Sequence, residues 1–178
     1  EIGDKTQLLA LLLASRFRRP VPIILGMLAA TTLNHGLAGL AGGMVAAAID
    51  PVLLRWGLGL TFLAMAAWAL IPDTLDQSRI ARHAAGGAFI ATAASFFLAE
   101  MGDKTQVATA ALAAHFGAMG PVILGTTIGM MAVDVPTVLC GHIIGDRISP
   151  RGIRYVAAGL FAIFGTLALL GIEPGLRG

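Results

Sequence analysis

The sequence predicts an all-α integral membrane protein, with six transmembrane helices arranged as two inverted three-helix repeats. Three observations carry this. The chain of 178 residues is 57% hydrophobic and only 12% charged, whereas soluble domains are about 25% charged. Its apolar residues fall in runs of about 20 or more, enough at 1.5 Å per residue to cross a ~30 Å hydrocarbon core. And the chain aligns with itself, without a gap, at an offset of 99 residues.

The self-alignment is anchored by a polar hexad. Glu1, Gly3, Asp4, Lys5, Thr6 and Gln7 fall on Glu100, Gly102, Asp103, Lys104, Thr105 and Gln106. Further along, Pro22, Ile24, Leu25 and Gly26 fall on Pro121, Ile123, Leu124 and Gly125, and Phe62 falls on Phe161. Two apolar segments share residues by chance, but not a charged hexad in register, so the chain is an internal duplication.

Taken in order, the first repeat (1–72) holds apolar runs at 1–15, 21–49 and 52–71. The first is short, and the equivalent run of the second repeat has about a dozen apolar residues before its hexad. The first helix is therefore expected to be truncated at its N-terminus. A polar linker, 73–84, follows. The second repeat (85–178) holds runs at 85–114, 119–145 and 153–172. Ala and Leu outnumber β-branched residues, which argues against strands. The 23 glycines suit close helix packing in lipid, where small residues let backbones approach.

Arginines set the orientation. Arg16, Arg18 and Arg19, then Arg79 and Arg82, then Arg147, Arg151 and Arg154 occupy alternate loops, against Arg55 and Arg177 on the other side. The arginine-rich side is expected to be cytoplasmic, the linker included, with both termini outside, in an inner membrane. Three helices per repeat is an odd number, so the second copy enters the bilayer from the opposite side. That is the plan of secondary transporters, whose sites lie near the midplane between the copies.

The composition also excludes. A net charge of +2 gives no footprint for nucleic acid. The single cysteine, Cys140, allows no disulfide framework or thiolate cluster. No nucleophile–base pair or zinc-hydrolase motif is present, and His115 and His142 are isolated, so no enzyme activity is expected.

The hexads carry the chemistry. On a continuous helix Glu100, Asp103 and Gln106 share one face at i, i+3 spacing, with Lys104 pointing about 100° away. Glu1, Asp4 and Gln7 repeat the pattern. Bringing the faces together assembles four carboxylates and two amides. A charge at the bilayer centre costs roughly 2.5 to above 10 kcal/mol, so the acids must be protonated, paired with Lys5 and Lys104, or bound to a cation. Four acids and two lysines leave a charge that one divalent ion cancels. Carboxylate and amide oxygens suit Ca²⁺, Mg²⁺ or Mn²⁺. Glu1, Asp4, Glu100, Asp103, Gln7 and Gln106 are the expected metal residues. Lys5, Lys104, Thr6 and Thr105, with the intramembrane polar residues His35, Asn34 and Asp134, are candidates for proton coupling or for support around the site. His35 aligns with Asp134 across the duplication. Gly3 and Gly102 either loosen their helices or permit close crossing.

Clustered acids in lipid hold protons when empty, and a divalent ion displaces them. Metal and protons then compete for one site, which is the thermodynamic core of an antiporter. A divalent-cation channel would use the same acids without proton coupling.

The doubled E-φ-G-D-K-T motif resembles the hallmark of the GDT-type family of cation/proton exchangers, and the resemblance covers nearly the whole chain. It implies six membrane helices, exchange of Mn²⁺ or Ca²⁺ for H⁺, and Glu1, Asp4, Glu100 and Asp103 as the metal-site carboxylates. The short linker resembles bacterial members, in which manganese export is the commoner role. Substrate metal, protons and the lipid bilayer are the partners expected, nucleic acid is not, and no cofactor is expected beyond the transported ion.

Overall fold

The computed structural model describes residues 5–71, 87–144 and 150–171. Among them are seven α-helices: α1 (Lys5–Phe17), α2 (Pro20–Ala48), α3 (Pro51–Ala69), α4 (Gly87–Glu100), α5 (Lys104–Phe116), α6 (Met119–Ile144) and α7 (Pro150–Leu170). Glu1, Asp4 and the linker 73–84 lie outside the described residues, as does the side chain of Lys5. The protein is an all-α, multi-pass membrane protein. Three helices, within Pro20–Ala48, Pro51–Ala69 and Met119–Leu139, are long and apolar enough to cross a bilayer.

Local chemistry sets the ends. Prolines open α2 and α3, where the missing N–H is unneeded. The Asp50 carboxylate caps α3, accepting from Val52 N at 2.9 Å and Leu53 N at 3.3 Å. Gly117, at φ +62°, closes α5 in the left-handed conformation that favours glycine.

One expectation is corrected. The run 85–114 is not one helix. It breaks at Met101–Asp103, leaving α4 with 14 residues and α5 with 13. Each is about 20 Å long, too short to cross alone, and the break falls inside the second polar hexad. Gly102 makes it: its φ of +77° is left-handed, which costs an L side chain about 1–2 kcal/mol per residue. The Glu100–Asp103–Gln106 face of a continuous helix therefore does not exist. Of the two readings of Gly102, loosening the helix is the one observed.

α2 is the central helix. Its buried face, from Ile23 and Gly26 through Thr31, Asn34 and His35 to Gly42, packs against α4, α5 and α6. A Cβ at Gly26 would meet Thr92 at 2.9 Å on α4, and one at Gly42 would strike the Ala110 carbonyl on α5. Glycine is what lets both pass so closely. Along α2, Gly26 sits by α4, Asn34 by the end of α4, and Gly42 by α5. α2 thus runs parallel to the α4–α5 line, level with its break at Asn34. α3 packs on α7 and α1 on α6. Leu9 and Leu13 of α1 share a buried cluster with Ile23, Met27 and Phe96. Pro136 lies inside α6, which runs through it unbroken.

Two contacts join residues 99 apart in sequence. Thr31 Oγ1 of α2 lies 4.0 Å from Met130 Sδ of α6. Phe62 of α3 stacks on Phe161 of α7, with ring centroids at 6.4 Å and planes at 19°.

Candidate functional site

Glu100 is the last residue of α4, and only 1% of its surface is exposed. Both carboxylate oxygens accept hydrogen bonds from α2: Thr31 Oγ1 donates to Oε1 at 2.9 Å and Asn34 Nδ2 donates to Oε2 at 3.2 Å. The same Asn34 Nδ2 donates to the Phe97 carbonyl at 3.1 Å. One amide thus holds both the acid and the backbone at the end of the helix that carries it. Hydrogen bonds to a charged group are worth about 1.5–3 kcal/mol each. Asp103 and Asp134 lie near enough to interact electrostatically with Glu100, and both are buried. Three carboxyls from α4, the start of α5 and α6 therefore share one buried region.

The break has its own bonds. Met101 N donates to Phe97 O at 3.1 Å and Asp103 N to Glu100 O at 3.0 Å, closing α4. Asp103 is the N-cap residue of α5. Gln106 reaches back along α5, and its Oε1 accepts from Gly102 N at 2.7 Å. This resembles a capping box, with a third-position side chain bonding a backbone N–H ahead of the helix. The start of α5, where helical N–H groups and the positive end of the dipole gather, sits beside the buried acids.

The other predicted residues divide. Gln7 Nε2 donates to Thr137 Oγ1 on α6 at 2.9 Å, and Thr137 donates to Val133 O at 3.0 Å. Thr6 and His35 are buried. His35 Nδ1 lies 3.4 Å from Thr127 Oγ1 on α6. Thr105 is half-buried, and its hydroxyl has no hydrogen-bond partner among the described residues. Lys104 Nζ donates to the Ile71 carbonyl at 2.8 Å and sits 5.9 Å from the centre of the Trp68 ring. It ties the start of α5 to the end of α3.

Sequence reasoning missed Thr31, Thr127 and Thr137. A signal existed for Thr31: with Asn34 and His35 it forms an i, i+3, i+4 polar face on a helix whose one other polar side chain is Thr32. Among the described residues, no three His, Cys, Asp or Glu side chains form a metal-holding group.

Buried acids gathered at a broken helix, inside a multi-pass helical protein, define an α-helical membrane transporter of the ion-binding kind. The model of the family described as "Divalent cation/proton antiporter GDT1" matches residues 1–77 and 88–174. The chain belongs to this family, which is a family of transporters and not of enzymes. It is 50% identical over 165 residues to a Vibrio cholerae protein named "Putative manganese exporter", covering 92% of this chain and 81% of that one. A GDT1-like protein of Synechocystis is 31% identical over 186 residues, covering 94% and 90%. GDT1-like protein 3 of Arabidopsis thaliana is 28% identical, covering 92% of this chain and 64% of that one. No solved structure matches the chain.

Proposed function

We propose that this protein exchanges a divalent cation, Mn²⁺ first and Ca²⁺ as the alternative, for protons, exporting the metal from the cytoplasm across the inner membrane. The observation that carries the reading is Glu100: a carboxylate wholly buried at a break in a membrane helix, with Asp103 and Asp134 close by. Several ionised acids gathered in lipid are costly. They are stable holding protons or holding a divalent ion, and the two occupants exclude one another. The name of the V. cholerae relative supports manganese as the substrate.

The metal residues in this reading are Glu1, Asp4, Glu100, Asp103, Gln7 and Gln106. Lys5, Lys104, Asp134, His35, Thr6 and Thr105 serve proton coupling or support. In the described residues, Gln106 acts first as a cap on α5 and Lys104 as a tether to α3. The chain divides as 1–72, a cytoplasmic linker 73–84, and 85–178, with six spans in two inverted repeats and both termini periplasmic. Contacts between Thr31 and Met130, and between Phe62 and Phe161, support this plan. A two-fold axis between inverted copies brings equivalent residues together where it passes.

Reconstitution in vesicles tests the function. Glu100→Gln keeps the size of the side chain and removes its charge, so the folded variant is expected to lose Mn²⁺ flux. Flux at the wild-type rate would remove Glu100 from the site.

A further inference from the structure

We propose that Asn34 supplies an oxygen ligand to the transported cation from α2, so that the site extends beyond the two acidic hexads. The proposal rests on the exchange reading and adds to it a residue outside the motif.

Asn34 is wholly buried in the middle of α2. Its Nδ2 donates to two acceptors, Phe97 O and Glu100 Oε2, which fixes the orientation of the amide, since the reversed amide would set oxygen against oxygen at both places. The other atom, Oδ1, is buried and has no hydrogen-bond partner among the described residues. Bare carbonyl oxygens are avoided in protein interiors and more so within lipid. Covalent geometry keeps Oδ1 about 2 Å from the nitrogen that bonds Glu100, and Asn34 is level with the break between α4 and α5. A hard, neutral oxygen is thus held beside buried carboxyls, at the place where backbone and side chains part. Amide oxygen is an ordinary ligand for hard divalent ions. One half of the side chain positions Glu100, and the other half faces the cation.

The two roles separate by changing the donor atom. The full chain is purified into nanodiscs, and Mn²⁺ and Cd²⁺ affinities are measured by equilibrium binding. The variant is Asn34→Cys in a Cys140→Ala background, compared with that background alone. A sulfur ligand favours the soft ion. The Cd²⁺ to Mn²⁺ affinity ratio is expected to rise about tenfold or more, the scale of a ligand-shell change. Equal loss for both ions, or no change for either, would leave Asn34 as a support for Glu100 alone and overturn the proposal. Asn34→Asp, nearly isosteric, decides the matter if the cysteine variant does not fold. As a ligand it adds anionic charge, so Mn²⁺ affinity at mildly alkaline pH is expected to hold or rise. As a support it loses the N–H and repels Glu100, so a fall of about tenfold would overturn the proposal. Failure of the wild-type chain to bind either ion, or wild-type binding by Glu100→Gln, would instead refute the exchange reading.

Discussion

Replacing Gly102 with alanine asks whether transport needs the broken helix. Gly102 holds φ +77°, and a Cβ built there would meet no atom within 4 Å. The substitution therefore brings no clash, and its cost is one of conformation only. Holding alanine in the left-handed region costs about 1 kcal/mol at the low end. Alanine also favours a continuous helix over glycine by about 1 kcal/mol. The two add, moving the balance between broken and continuous helix by about 2 kcal/mol, or roughly 30-fold. Mn²⁺ uptake into proteoliposomes under an imposed pH gradient is the assay, with monodispersity in detergent as the check on folding. A folded protein with flux reduced by about an order of magnitude is expected. Gly125→Ala on α6 is the control, because a Cβ there also meets nothing and its φ is not left-handed; it should transport normally. Wild-type flux in Gly102→Ala would refute the link between the break and transport.

Gly42→Ala should act on stability, because the added methyl strikes the Ala110 carbonyl and forces α2 from α5. Overpacking of this kind costs about 1–3 kcal/mol, read as a lower Tm in detergent. Lys104→Met removes the bond to the Ile71 carbonyl and the contact with Trp68. The loss expected is about 1 kcal/mol, the scale of one net hydrogen bond, again read as Tm. Mn²⁺ affinity of the purified protein should fall as pH falls. Protons stabilise the empty acidic site and must leave when metal binds, so acid favours the metal-free form; pH-independent binding would contradict this.

The sequence carried the all-α membrane class and the positions of the helices. Runs of apolar residues and the register of the two hexads located the helices to within a few residues. The burial of Glu100, Asp103 and Asp134 followed from their place inside apolar runs. The break was harder to see, because Gly in a membrane helix serves close packing as readily as a left-handed turn. Gly42 does the first and Gly102 the second, and the local signal that separates them is the Asp103–Gln106 spacing after Gly102, a capping-box pattern. The contacts of Glu100 were not legible. Thr31 and Asn34 lie 69 and 66 residues away, and their meeting with Glu100 depends on the register of α2 against α4. That register is set by glycine contacts that appear only once the helices are packed. Gln106 likewise reads as an amide ligand on a continuous helix and becomes a cap once the helix breaks.

The most direct measurement is Mn²⁺ accumulation in sealed vesicles holding the purified protein, with an acidic lumen and equal Mn²⁺ on both sides. Protons leaving down their gradient should drive Mn²⁺ inward above the outside concentration, and collapsing the gradient should release it. Mn²⁺ that merely equilibrates, at a rate indifferent to the gradient, would show that ion and protons do not share the buried acids at the α4–α5 break.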